Sequence, residues 1–156
     1  MGNYWLLKSE PDTYSIDDLA REKVSLWDGI RNYQARNFLK AMSVGDLAFF
    51  YHSNTTHKGI VGLMEVIEVL VVDPTQFDPD SDYYDPKATV DSPRWHTVRF
   101  QFVSKFPNIV TLAELQDLFP TADFPLVKRG NRLSVMPVST SIIAELQRHY
   151  PLLGVG

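Results

Sequence analysis

The apolar residues of this chain fall into short stretches of alternating or helical spacing, and the spacing predicts most of the elements. Tyr4 to Lys8 is aromatic and apolar and predicts a strand. Ser15 opens a short helix through Leu19, because its hydroxyl suits a cap and Asp18, three residues on, suits both a capping box and the positive helix end. Val24 to Trp27 predicts a brief strand. Ala35, Phe38, Leu39 and Met42 fall at i, i+3, i+4 and i+7, so Arg31 to Met42 reads as an amphipathic helix capped by Asp28 or Asn32. Val44-Gly45-Asp46 breaks it.

Asp46 to Ser53 alternates Leu47, Phe49 and Tyr51 with Ala48, Phe50 and His52, and Gly59 to Val72 is a long β-branched run. The two read as an antiparallel pair joined by the loop Asn54 to Lys58. Residues 73 to 93 scatter Pro74, Pro79, Pro86 and Pro93 among Asp and Ser, which predicts an irregular excursion inserted into the sheet. Alternation resumes from Arg94 to Ser104. Thr111-Leu112-Ala113-Glu114 is a second capping box, opening a helix with Leu112, Leu115, Leu118 and Phe119 on its apolar side. Leu133 to Met136 predicts a small strand. Pro137, with Ser139 or Ser141 as cap, begins a last helix that buries Ile142, Ile143, Leu146 and Tyr150. The expectation is one α+β domain over residues 1 to 156, a curved antiparallel sheet closing toward a barrel flanked by short helices, without parallel βαβ winding. Trp5, Phe49 and Phe50 are expected in its core.

Composition narrows the function classes. With 156 residues, 44% hydrophobic, the chain can bury one sizeable core. It has no cysteine, which excludes a disulfide framework, thiol catalysis and thiolate metal sites. No signal peptide or membrane span is visible, and a cytoplasmic setting is expected. The net charge of −4 argues against non-specific coating of duplex nucleic acid. That charge is uneven. Residues 65 to 91 hold eight acidic groups against Lys87 alone, a local balance of −7, while the other 14 basic and 11 acidic residues leave +3 elsewhere. Arg31, Arg36 and Lys40 recur along one helix, and Lys128, Arg129 and Arg132 cluster near the C-terminus, so a local phosphate-facing patch is compatible with the net figure.

Catalytic motifs are scarce. Gly59-Ile60-Val61-Gly62 lies inside a strand pattern and lacks the lysine and helix of a nucleotide cradle. His52, His57, His96 and His149 are scattered without metal-ligand spacing, so no metal site is expected. His52 and Ser53 are adjacent on a strand and point to opposite faces, which rules them out as base and nucleophile. Glu10 and Asp28 could act as an acid and base pair.

Aromatic and hydrogen-bonding residues instead gather near strand ends: Lys8-Ser9-Glu10-Pro11, Trp27-Asp28-Gly29-Ile30-Arg31-Asn32-Tyr33 and Phe49-Phe50-Tyr51-His52-Ser53. A planar heterocycle is held by stacking on an aromatic ring and by hydrogen bonds to its edge, and Trp27, Ser9, Glu10 and Asn32 supply both.

These segments resemble the EVE domains of the PUA-like superfamily, the thymocyte nuclear protein 1 group among them. The resemblance runs from Tyr4 to Pro11, through the thirteen residues Trp27 to Leu39 and Phe49 to Ser53. It continues through Gly59 to Leu63, Tyr84-Asp85-Pro86, Pro93-Arg94-Trp95 and Arg132-Leu133-Ser134. It implies a barrel flanked by helices, related to the YTH readers of methylated adenine in RNA, with a pocket for a modified base and no established catalysis. By position, it implies Trp27 as a pocket wall and Lys8, Ser9 and Glu10 as contacts to the base edge or its backbone. It implies Asn32, His52 and Ser53 as a polar rim, and Arg31 with Arg132, Leu133 and Ser134 at the mouth. Lys128 and Arg129 join Arg31 and Arg132 as phosphate-facing candidates. The family's eukaryotic members carry a basic N-terminal extension that this sequence lacks, so nuclear targeting is not implied.

The function expected is capture of a modified base, a cytosine in DNA or a base in RNA, from a single-stranded or flipped-out position, without cofactor, metal or membrane. Two rivals stand beside it: a nucleobase or nucleotide hydrolase using Glu10 and Asp28, and a protein-interaction scaffold acting through the acidic loop of residues 73 to 93.

Overall fold

The computed structural model describes residues 3–151. Its strands are β1 (Tyr4–Ser9), β2 (Val24–Leu26), β3 (Leu47–His52), β4 (Gly59–Val72), β5 (His96–Thr111) and β6 (Val135–Val138). The helices are α1 (Ile16–Glu22), α2 (Tyr33–Ala41), α3 (Leu112–Leu118) and α4 (Thr140–His149), with 3₁₀ turns at Pro74–Phe77 and Pro125–Val127. Both capping boxes form: the Ser15 and Thr111 side chains accept the amides of Asp18 and Glu114, whose carboxylates bond back. Asn32, not Asp28, caps α2, and Ser139 caps α4.

The six strands form one sheet in the order β2-β5-β4-β3-β1-β6. The antiparallel barrel expected from the sequence needs correction here. β1 and β3 pair in parallel, Leu6 against Phe49, and the pairing ends at β2 and β6 without closing. The reason is the connection: α1, β2 and α2 lie between β1 and β3, long enough to bring the chain back in the same direction. β5 also runs past Ser104. Its register against β4 shifts between Lys105 and Val110, and Pro107, which has no amide to donate, sits in that irregular stretch. Pro137 is tolerated within β6 because β6 is an edge strand.

The sheet is buried on both faces. Leu6, Phe49, Tyr51, Leu63 and Met136 pack with Leu115, Phe124, Ile142 and Leu146 on one side. Trp5, Leu7, Ala48, Phe50, Met64 and Phe100 pack with Ile16, Leu19, Ala35 and Leu39 on the other. This double burial explains why β1 and β3 read as apolar at successive positions rather than alternating with polar residues. Gly62 marks a close approach of helix to sheet, since a Cβ there would fall 2.5 Å from Cδ1 of Ile16. Trp5, Phe49 and Phe50 are core as expected. Among the described residues no helix is long and apolar enough to cross a membrane.

The excursion between β4 and β5 is irregular but pinned. Asp73 caps the 3₁₀ turn at Pro74–Phe77, and the buried Gln76 amide donates to the carbonyls of Asp73 and Trp95 and accepts from the amides of Arg94 and Trp95. Trp95 donates its indole N–H to Asp85 at 2.8 Å.

Candidate nucleic-acid interface

The end of β1 and the loop from β2 into α2 face each other across a cleft of about 440 Å³. Lys8, Ser9 and Glu10 form one side; Leu26, Trp27, Asp28, Gly29 and Ile30 form the other. Thr13 and Tyr14 close one end, and Tyr83 reaches in from the excursion. Lys8, Ser9, Glu10 and Trp27, which lie far apart in the sequence, are thus brought together.

Trp27 is the floor rather than an open wall. It is 7% exposed, and its ring stands edge-on to Phe50 and Phe100 at centroid distances of 5.4 and 5.5 Å. The Thr97 hydroxyl donates to its carbonyl. Truncation to Ala would therefore cost about 3 to 5 kcal/mol of stability, which disqualifies it as a clean binding probe. The most exposed aromatic of the cleft is Tyr83, at 39%, with Tyr14 half-buried beside it. Gly29 makes room for it: its φ is +82°, and a Cβ there would lie 2.7 Å from Cε2 of Tyr83. Nothing in the spacing of the acid-rich excursion marked Tyr83; its aromatic type alone was the signal.

The polar groups differ in what they have left to offer. The Ser9 hydroxyl donates to the Tyr14 carbonyl at 2.6 Å, and Glu10 accepts from Nδ2 of Asn54 at 2.7 Å. Lys8 donates to the Asn131 carbonyl at 3.2 Å, its ammonium 5.9 Å from the Tyr51 ring centre, and burial lowers its pKa. Asp28 is exposed at the cleft's edge, its carboxyl partly desolvated by the cleft. Burial within the cleft, and then the Asp73 charge, push its carboxyl above the usual range.

Lys8 and Glu10 are shared with a second depression of about 890 Å³, which also receives Ser53, Ser134, Lys58, Lys128, Arg129 and Arg132. Four of the expected residues lie elsewhere. Asn32 is occupied in capping α2, its Oδ1 accepting from the Ala35 amide at 2.9 Å. His52 accepts the Ile16 amide on Nε2 at 3.1 Å, completing the N-terminus of α1. Leu133 packs against both cores. Arg31 turns toward the excursion, where Asp73 lies 3.0 Å and the Tyr83 carbonyl 2.8 Å away. Among the described residues no three His, Asp or Glu side chains gather as a metal site would require.

The sequence model of the EVE domain matches residues 3–148. The chain belongs to the EVE domain family. Thymocyte nuclear protein 1 of Mus musculus is 41% identical over 89% of this chain and 70% of its own length. The crystal structure of human THYN1 protein in complex with 5-methylcytosine-containing DNA superposes with a TM-score of 0.88 at 37% identity, covering 94% of this chain and 96% of that one. A remoter likeness, TM-score 0.53 at 12% identity over 97% of this chain and 77% of the other, to the Mmi1 YTH domain complexed with RNA is a likeness of fold alone.

Proposed function

We propose that this EVE domain binds nucleic acid by taking one modified base, 5-methylcytosine in the first instance, into the cleft between β1 and the β2–α2 loop. The observation that carries the reading is that a base-sized, partly aromatic cleft shares Lys8 and Glu10 with a depression bearing Lys58, Lys128, Arg129 and Arg132. The base would rest against Tyr83, a stack worth about 1 to 3 kcal/mol, while the flanking phosphates run toward the four cations. Leu26, Trp27 and Ile30 give the 5-methyl group an apolar seat. Burying one such group contributes about 0.8 kcal/mol, roughly fourfold in affinity. The complex of the human relative with methylated DNA supports the same ligand class for this chain.

Binding rather than hydrolysis is favoured because the Glu10 carboxylate is held by Asn54 and stands exposed to water. The scaffold reading is weakened because Asp73 and Asp85 are used within the fold.

A base still stacked in a helix cannot enter such a cleft, and extruding it costs a few kcal/mol. Titrations of DNA carrying one 5-methylcytosine should therefore show affinity rising from paired to mismatched to single-stranded forms. Each should bind more tightly than its unmethylated twin, and a matching RNA series would rank the polymers. Tyr83→Ala should weaken the single-stranded complex while the circular dichroism spectrum is kept. Tightest binding to the perfect duplex, or no methyl preference, would overturn the proposal.

A further inference from the structure

We infer that Asp28 reads the exocyclic amine of the captured base, so that the cleft accepts cytosine-type bases and rejects thymine. The inference rests on the reader proposal above and adds to it the group that selects the base. Two carboxylates line the cleft, and they are not equivalent. Glu10 already accepts from Asn54. Among the described residues no hydrogen bond or ion pair joins the Asp28 carboxylate to another residue, although its neighbours in the chain, Gly29 and Ile30, line the cleft beside it. Arg31, whose charge reaches Asp28, commits its N–H donors to Asp73, Thr75 and the Tyr83 carbonyl instead. Asp28, which accepts only from its own backbone amide, is therefore the cleft carboxylate with acceptor capacity left for a ligand. An ionised carboxylate only accepts, and each cytosine presents an N4 amino donor, whereas thymine presents the O4 acceptor at the same place. The same carboxylate thus attracts one and repels the other. The elevated pKa of Asp28 agrees with this placement, since a donor brought in by the ligand would relieve a charge that burial and Asp73 disfavour.

The test uses two bases that share the 5-methyl group and differ at C4. Single-stranded DNAs identical except for one 5-methylcytosine or one thymine are titrated with the whole protein, beside the unmethylated cytosine strand. Wild type should prefer 5-methylcytosine to thymine by about tenfold or more. Asp28→Asn carries both a donor and an acceptor, so it should bring that ratio close to one, losing affinity for 5-methylcytosine and gaining some for thymine. Asp28→Ala should also erase the preference without the gain. Because the carboxylate supports no other residue, both variants should unfold at the wild-type temperature. A ratio retained in Asp28→Asn, or a wild-type ratio near one with the methyl preference intact, would overturn the role of Asp28 and leave the reader proposal standing. Loss of any preference for 5-methylcytosine over cytosine in wild type would remove both.

Discussion

Two groups of cations in this molecule look alike in the sequence and are used in opposite ways. Arg31 spends four of its five N–H donors inside the fold, on Asp73 at 3.0 Å, Thr75 at 2.9 Å and the carbonyls of Ile30 and Tyr83 at 2.8 Å. Its guanidinium also lies 5.1 Å from the Trp95 ring centre. Arg36 lies 4.7 Å from the Tyr33 ring centre and donates to the Arg94 carbonyl, and Arg94 reaches Asp85 and the Tyr33 hydroxyl. The side chains of Lys58, Lys128, Arg129 and Arg132 have no hydrogen-bond or salt-bridge partner among the described residues. All four line one depression. The first group fastens the acidic excursion to α2 and thereby places Tyr83 at the cleft. The second group is free to meet an external anion. Charge at a position does not say whether the fold has already neutralised it; the partner does.

Breaking the fastened group should have the largest effect. Asp73 is 2% exposed in its side chain. Burial pushes its carboxyl up, but hydrogen bonds from Thr75, Gly29 and Arg31 outweigh this and hold it below the usual range. Asp73→Ala strips those donors of their acceptor and leaves Arg31 unpaired in a partly buried place. The expected loss is about 3 kcal/mol of folding stability, the low end for breaking a buried pair, read as a lower denaturant midpoint. A midpoint unchanged from wild type would mean that the excursion is not fastened through this residue.

The free group should behave in the reverse manner. Replacing Lys128, Arg129 and Arg132 together by Ala should leave stability within about 0.5 kcal/mol, as for surface residues without partners. Affinity for single-stranded DNA should drop by about tenfold or more at low salt. With four cations meeting phosphates, the slope of log affinity against log salt should be about −3, and with Lys58 alone it should approach about −1. Equal slopes in the two proteins would place the backbone elsewhere on the surface.

Local sequence carried what depends on local physics. Both capping boxes, the stripe Ala35 and Leu39 of α2 and the strands around Phe49 could be read because each is fixed by neighbours a few residues away. The parallel pairing of β1 with β3 could not, because it depends on how three intervening elements pack. The same divide runs through the site. Lys8, Ser9, Glu10 and Trp27 were legible as a group of suitable chemistry at strand ends, and the fold gathers them. Asn32 and His52 have equally suitable chemistry but are consumed as acceptors for helix amides, of which the His52 bond links residues 36 apart in the chain. Tyr83 enters the cleft only because Arg31 and Gly29 hold and admit it across more than fifty positions. Asp28 was visible as a carboxylate, but its want of a partner on another described residue is a property of the folded molecule.

His52 sharpens the comparison by supplying a third case, a basic group that the fold keeps from becoming a cation. Its Nε2 must stay unprotonated to accept the Ile16 amide, and the N-terminus of α1 disfavours a positive charge beside it. Burial lowers its pKa below the ordinary 6.5, with Lys105 adding to the shift and Asp17 opposing it. The folded state therefore binds fewer protons than the unfolded state in the window below pH 6.5, so stability rises with pH there. The contribution is complete above that pH and is lost as pH falls through the folded value. His52→Gln retains a side-chain acceptor and removes the titration, so its stability should fall less steeply than that of wild type between pH 6.5 and 5. His96, lowered by burial and by Lys40 and Arg36, leaves a residual slope in the variant. Denaturant midpoints at a series of pH values measure both slopes, and identical slopes would show that His52 binds its proton equally well in the folded and unfolded states. The effect should be the smallest of the three, since it concerns one partly exposed ring whose neutral form is already favoured at neutral pH.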